Sequence, residues 1–278
     1  MNTINKKRLK LKPVRTFLKK GTCSRTYFYL LNREYGESMA QEEQALDPLA
    51  GGIMQQGYQC GMLWGASMAV GVEAYRRCDD IKIAIALAIV ATQKIMKSFE
   101  DRATSIECED ITNCDWTSKN SMRKYFFSGR FINCFALAKK WAPEAIEAAY
   151  EGLALENTDL PKAASCATEL AKKMGASEEE MVMVAGFAGG MGLSGNGCGA
   201  LAAAMWLNTL SRIKNNTYKI AFPDPALEDM LNKFYETTDY EMECCKITGE
   251  KFNSLEEHTE FIKNDGCIKI IDSLANFN

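Results

Sequence analysis

Cysteine is the residue type through which this chain could do chemistry. The 278 residues include eleven cysteines and one histidine. A thiolate can act as a nucleophile, carry redox equivalents or bind a soft metal ion. Hydrolytic arrangements that need a histidine base are disfavoured, because His258 follows Glu256 and Glu257 in a polar helical stretch and is predicted to lie on the surface. The sequence therefore favours cysteine chemistry without a histidine.

Most of these cysteines belong to an internal repeat. Residues 49–66 read LAGGIMQQGYQCGMLWGA, and residues 187–204 read FAGGMGLSGNGCGALAAA. With an offset of 138, the two stretches match at Cys60 and Cys198 and at the glycines around them. Self-similarity at one offset is the mark of a duplicated structural unit. The sequence thus predicts two divergent copies of one unit.

Three further pairs of cysteines follow the same order along the two copies. Residues 107–112 (ECEDIT) match residues 243–248 (ECCKIT), and weaker alignments relate the first and last cysteines of each copy. The resulting sets are Cys23, Cys60, Cys108 and Cys134 in the first copy and Cys166, Cys198, Cys244 and Cys267 in the second. Three cysteines have no counterpart and are predicted not to be essential ligands: Cys78, Cys114 and Cys245.

Helix signals dominate the elements that must position these cysteines. Ser177 and Ser254 each precede a run of acidic residues and are predicted to cap helices. No convincing series of alternating strands is found. We expect an all-α fold with two tandem homologous helical units packed about a pseudo-twofold axis. The expected organisation is a basic N-terminal arm at 1–20, a first four-cysteine repeat at 21–155 and a second at 156–278.

Composition narrows the function classes. A hydrophobic content of 47% supports a sizeable core, and a formal charge of −3 disfavours nucleic-acid binding. Residues 1–20 carry eight basic side chains and no acidic one, so this arm suits an acidic partner, a membrane surface or simply a solvated tail. No secretory signal is visible, and the apolar stretch at 81–92 is too short to span a bilayer and is predicted to be a buried core helix. We therefore expect a cytoplasmic protein with reduced thiols and no transmembrane segment.

These motifs resemble those of the C-GCAxxG-C-C family of redox-active proteins, which is named for four spaced cysteines around a Cys-Gly-Ala core. Each copy of the chain resembles one family unit, and the second copy is the closer match. That copy keeps Cys198-Gly-Ala and the later Ile-Thr-Gly element, whereas the first has Met62 and Asn113 at two of these positions. The resemblance implies a redox role. Similarity of the family to the iron–sulfur part of split-Soret cytochromes implies electron transfer.

The positions of the cysteines agree with reactive sulfur. Several follow glycine-rich loops or open helices, and a helix N-terminus favours a thiolate. Four thiolates gathered in one place would repel one another unless a metal or a cluster neutralised them. Iron–sulfur clusters use four such ligands, whereas structural zinc usually draws on short CxxC-like spacings, which are absent here. All eight matched cysteines are therefore candidate ligands of iron–sulfur clusters of the [2Fe–2S] type, up to one per repeat.

Three functions remain open from the sequence. The first is a redox carrier that holds a cluster in each repeat and passes electrons to a partner protein. The second is an enzyme that uses the same cysteines as redox thiols or sulfur carriers, through disulfides or persulfides. The third is a non-catalytic helical scaffold whose cysteines pack as small hydrophobic side chains. The carrier is favoured over the thiol enzyme.

Overall fold

The chain folds into helices. The structure is a computed structural model that describes residues 11–36, 38–155, 159–221 and 224–277. Within these residues there are fifteen α-helices, and the only strand-like features are two isolated β-bridges. The expected all-α fold class is confirmed.

The first repeat contributes seven helices after a short N-terminal one. These eight are α1 (Pro13–Lys20), α2 (Cys23–Tyr35), α3 (Ala40–Gln44), α4 (Gly61–Arg77), α5 (Ile81–Ala103), α6 (Cys108–Thr112), α7 (Lys119–Phe127) and α8 (Phe131–Gly152). The second repeat contributes α9 (Cys166–Lys173), α10 (Glu178–Met183), α11 (Gly199–Lys214), α12 (Pro225–Thr237), α13 (Cys244–Thr248), α14 (Leu255–Lys263) and α15 (Ile268–Ala275).

The helices of the two repeats follow in the same order. A 3-10 turn precedes the glycine-rich loop in both, at Asp47–Leu49 and at Ala185–Phe187. The predicted caps are confirmed, because the hydroxyl of Ser177 accepts from the amide of Glu180 and the hydroxyl of Ser254 accepts from the amide of Glu257. The matching order of the helices supports a duplicated unit.

A layered core positions the first repeat. Helix α2 packs on α4, α4 on α5, and α5 on α8. The fully buried ring of Trp141 lies between Tyr27 and Phe99, with ring centroids 4.6 Å away in each case. The apolar stretch at 81–92 forms the buried first half of α5, as predicted. No helix in the described part of the chain is long and apolar enough to cross a membrane.

The two repeats pack against each other through reciprocal contacts. Helix α4 contacts α10 and the 3-10 turn of the second repeat, and α11 contacts α3 and the 3-10 turn of the first. The fully buried Gln59 crosses between the repeats and donates to the carbonyl oxygens of Gly190 at 2.8 Å and Gly197 at 3.1 Å. Reciprocal contacts are what pseudo-twofold packing requires. The axis itself stays a prediction.

The basic N-terminal segment is partly structured. Its residues 1–10 lie outside the described residues, whereas Pro13–Lys20 forms α1, which packs on α2 and α8. Phe17 anchors this helix by an edge-to-face contact with Phe135, with ring centroids 4.8 Å apart. The described part of the segment is therefore a packed helix and not a solvated tail.

The expectation for His258 is wrong. This residue is only 2% exposed, and its ring packs edge-on against Phe252. Leu255, His258, Thr259 and Ile262 are the buried residues of α14, a spacing that gives the helix one inward face. The polar neighbours that suggested a surface position occupy the opposite face.

Candidate functional site

Backbone hydrogen bonds bring two cysteines of the first repeat together. The amide of Cys60 donates to the carbonyl oxygen of Ile106 over 2.8 Å, and the amide of Cys108 donates to Tyr58 over 2.8 Å. Between these bonds, Gln59 and Glu107 form an antiparallel β-bridge. Cys60 caps α4, and Cys108 begins α6. The bridge thus places the starts of two helices, and their cysteines, side by side.

The second repeat is built in the same way. The amide of Cys198 donates to Met242 over 2.9 Å, and the amide of Cys244 donates to Asn196 over 2.7 Å. Cys198 caps α11, and Cys244 begins α13. Because backbone groups make these bonds, the geometry survives although most of the side chains differ between the copies.

The first cysteine of each set begins a helix and meets the glycine-rich loop. The thiol of Cys23 is hydrogen-bonded by the amide of Gly51, and the thiol of Cys166 by the amide of Gly189. A Cβ on Gly61 would come within 2.4 Å of the sulfur of Cys23, so the absence of a side chain there is required. The glycine-rich loop and the first residue of α4 therefore pack directly against the sulfur of Cys23.

The last cysteine of each set lies near the start of a helix. Cys134 is in the first turn of α8, and Cys267 caps α15 with a φ of 61°. The hydroxyl of Tyr125 lies 3.1 Å from the sulfur of Cys134. Burial raises the pKa of Cys134 to about 11, although the bond to Tyr125 opposes this shift.

One cavity gathers the whole first set. Its volume is about 440 Å³, and the residues that line it include Cys23, Cys60, Cys108 and Cys134. In the described part of the chain, no charged side chain lines this cavity. Four sulfurs therefore face one apolar space, although 111 residues of sequence separate the first from the last.

The second set also lies close together. Burial raises the pKa of Cys244, and the thiols of Cys166, Cys198 and Cys267 lie near enough for their charges to raise it further. Burial raises the pKa of Cys198 to about 12, and the neighbouring Cys166 adds to this shift. Without a neutralising partner, these buried sulfurs are held as neutral thiols at pH 7.

The first set contains a thiol pair that the second lacks. Cys60 donates its S–H to Cys23, which lowers the pKa of Cys23 and raises that of Cys60. Burial instead raises the pKa of Cys166, the matching residue of the second set. Cys23 is therefore the thiol most suited to form a thiolate among the eight matched cysteines.

The donor chemistry of both sets fits an iron–sulfur cluster, because each offers four thiols, and in the first set these four share one apolar cavity. The sulfurs are not already arranged around a single metal position. Among the described residues, no group of three or more histidine, cysteine, aspartate or glutamate side chains could hold a metal ion. The cysteine sets therefore match an iron–sulfur cluster in the number and the chemical type of their ligand atoms.

The unmatched cysteines occupy less regular positions. Cys78 is buried at the end of α4, and Cys245 is half-buried beside Cys244. Cys114 is buried and lies close enough to Cys108 to raise its pKa. A fifth thiol therefore stands beside the first set, and its lack of a ligand role stays a prediction.

Aromatic side chains around the first set were not anticipated. Trp116 donates its indole N–H to the hydroxyl of Thr112 at 3.0 Å and packs on Tyr125, with ring centroids 5.0 Å apart. Phe126 and Phe131 also line the cavity. The sequence signal for this aromatic lining is the run of aromatic residues between 125 and 135, because such a density is unusual outside a core or a binding site.

Comparison with known proteins gives one match. A family model described as "Putative redox-active protein (C_GCAxxG_C_C)" matches the chain twice, over residues 22–147 and residues 163–277. Each region lies within one of the two predicted repeats and contains one complete set of four cysteines. No curated protein and no solved structure shows a significant match.

Proposed function

The chain belongs to the C_GCAxxG_C_C family of redox-active proteins, and on that premise we propose that each four-cysteine set holds an iron–sulfur cluster and that the protein transfers electrons to a partner protein. The observation that carries the proposal is the cavity shared by Cys23, Cys60, Cys108 and Cys134. Four thiols that line one apolar cavity are costly to ionise, and coordination to iron removes that cost.

The surrounding residues have roles that suit this proposal. A bound cluster of this kind would accept and release one electron. The amides of Gly51 and Gly189 donate to ligand sulfurs, which stabilises a more reduced, more negative centre. The apolar wall excludes water, and half-buried Cys23 and Cys134 leave the first set within reach of solvent.

Anaerobic purification followed by iron and acid-labile sulfide analysis tests the proposal. We expect a brown protein with about four iron and four sulfide per chain if both sets carry a [2Fe–2S] cluster. A colourless protein that takes up no iron on reconstitution, while its thiols are reduced and titratable, would contradict it.

A basic surface around the first set suits an acidic redox partner. Residues 116–140 contain six basic side chains and no acidic one, and helices α7 and α8 in this segment wall the cavity. In the described part of the chain these exposed cations form no ion pair: Lys12, Arg15, Lys19, Lys119, Arg123, Lys124, Lys139 and Lys140. Unpaired charge of one sign steers a partner of the opposite sign.

Opposite charges on small redox reagents test this surface. Replacing Arg123 and Lys124 by glutamate should slow electron exchange with anionic ferricyanide and speed exchange with cationic hexaammineruthenium(III) at low salt. The same two substitutions at Lys233 and Lys263 in the second repeat serve as a control. Equal effects of the two pairs would show that only net charge matters.

The hydrogen bond from the thiol of Cys60 to the sulfur of Cys23 supports a second candidate function, that of a thiol–disulfide oxidoreductase. The Cys23 thiolate would attack a substrate disulfide, forming a mixed disulfide and releasing one substrate thiolate, which takes up a proton. Deprotonated Cys60 would then attack the sulfur of Cys23, closing a Cys23–Cys60 disulfide and releasing the second substrate thiolate, which is protonated in turn. A dithiol reductant would restore the pair. A colourless protein with one rapidly reversible disulfide between Cys23 and Cys60 would favour this candidate over the cluster.

A further inference from the structure

The cavity of the first set is larger than four sulfurs require. Its volume of about 440 Å³ falls in the range of sites that enclose small organic molecules. Six aromatic rings contribute to its wall: Phe17, Trp116, Tyr125, Phe126, Phe131 and Phe135. A space of this size lined by rings gives an organic molecule extensive apolar contact.

The lining sets the polarity of any molecule that binds. None of the described residues that line the cavity carries a charge, so a charged molecule would lose its hydration there without an oppositely charged partner in this lining. The polar groups of two lining rings are already engaged, because the hydroxyl of Tyr125 contacts Cys134 and the indole N–H of Trp116 donates to Thr112. The side chain of Gln55 also lines the cavity, so the lining offers an occupant an uncharged amide for hydrogen bonding.

Access is through an aromatic edge. Phe126 both lines the cavity and is 56% exposed, so its ring forms part of the mouth. The adjacent Phe127 is 91% exposed and continues the apolar surface outward. Cys23 and Cys60 belong to the same lining. A ring that enters past Phe126 therefore shares the cavity with these two thiols.

We propose that this cavity binds an uncharged, flat, ring-containing organic molecule beside Cys23 and Cys60. Shape and polarity follow from the ring-lined, uncharged wall, and proximity to the thiols follows from their place in the same lining.

Two matched fluorescent probes test the proposal on the full-length protein. N-phenyl-1-naphthylamine is uncharged, and 1-anilinonaphthalene-8-sulfonate has the same rings with one negative charge. In iron-free protein at roughly 0.3 M salt, which screens the basic surface, we expect saturable 1:1 binding of the neutral probe. We expect at least tenfold weaker binding of the sulfonate. Absence of saturable binding, or equal affinity for the two probes, would overturn the proposal.

Variants on one helix locate the bound probe. Leu137 lines the cavity, whereas Ile132 on the same helix is 59% exposed and does not. Leu137→Trp and Leu137→Asp should weaken binding of the neutral probe at least tenfold, and Ile132→Trp and Ile132→Asp should change it less than twofold. Far-UV circular dichroism and thermal melting check that each variant folds. Equal affinities in the two sets would place the probe elsewhere.

Iron analysis and probe binding can fail separately. A protein that binds the neutral probe but no iron keeps the cavity proposal and removes the cluster. A protein that binds iron but not the probe supports the cluster and overturns the cavity proposal.

Discussion

Gly65 lies directly against the carbonyl oxygen of Ser24, so that a Cβ on Gly65 would come within 2.0 Å of that oxygen. The contact joins the second turn of α4 to the first turn of α2, the helix that begins with Cys23. Gly65 therefore controls how closely the helix bearing Cys23 approaches the helix capped by Cys60.

Replacing Gly65 by alanine should destabilise the protein. In an open helix interior this change stabilises by about 1 kcal/mol, but the clash with backbone should reverse the sign and cost about 1–3 kcal/mol. Urea unfolding followed by circular dichroism measures the difference. The matching position in the second repeat is Ala203, and Ala203→Gly should lose about 1 kcal/mol. A Gly65→Ala protein as stable as the wild type would show that α2 and α4 can separate freely.

Alkylation should distinguish the first cysteines of the two sets. The S–H of Cys60 lowers the pKa of Cys23, and burial raises the pKa of Cys166. At pH 7 in reduced, iron-free protein, iodoacetamide should therefore modify Cys23 several-fold faster than Cys166. Mass spectrometry of peptides at timed intervals gives both rates. Substituting Cys60 by alanine should slow the modification of Cys23, whereas its greater exposure relative to Cys166 would remain. An unchanged rate for Cys23 would show that the S–H bond does not activate it.

His258 should make stability depend on pH. Burial lowers its pKa to about 4, and its Nδ1 has no hydrogen-bond partner. Because the unfolded residue titrates near 6.5, the unfolded state binds more protons between pH 6.5 and 4. The stabilising contribution is fully present above pH 6.5 and is lost as the pH falls towards 4, by at most about 3 kcal/mol.

Urea unfolding at pH 7 and pH 4.5 checks this expectation. Wild type should lose about 2 kcal/mol more than His258→Gln over this interval, since the carboxyl groups titrate in both proteins and their effects cancel. Identical losses would mean that the histidine is not kept neutral by burial.

Substitution of single cysteines tests the two proposed cluster sites separately. Cys198→Ser should remove the visible absorption of one cluster, about half of the total, and leave the helix content unchanged. Cys245→Ser, next to the matched Cys244, is the control and should keep both clusters. The triple serine variant of Cys78, Cys114 and Cys245 should keep them as well. Loss of iron in that variant would assign a ligand role to an unmatched sulfur.

Much of the site followed from the spacing of residues along the chain. The offset between Cys60 and Cys198 predicted equivalent positions, and both residues cap equivalent helices. Glycine occurs at the same places in both loops, and an amide of the loop donates a hydrogen bond to a cysteine sulfur in each repeat. Matched motifs predict equivalent structural positions well, because the same residues pack in the same way in both copies.

Other features depend on packing that no local pattern contains. The buried face of α14 includes His258 because α14 packs against the chain near Ala164, which accepts a hydrogen bond from the ring. The aromatic cavity combines Phe17 with rings more than one hundred residues further along the chain. The helical spacing of Leu255, His258 and Ile262 indicates that His258 lies on a buried face. The volume of the cavity, in contrast, is determined only by how the helices pack together.

The contact of Gln59 with Gly197 joins unlike residues at matching positions of the two repeats, separated by the offset of 138. A Cβ at residue 197 would come within 2.6 Å of the amide oxygen of Gln59. Two first repeats packed in this way would bring two glutamines to one place, and two second repeats would leave a hole there. The halves are complementary and no longer interchangeable. Their fusion in one chain fixes a one-to-one stoichiometry and keeps each half next to the only half that it fits.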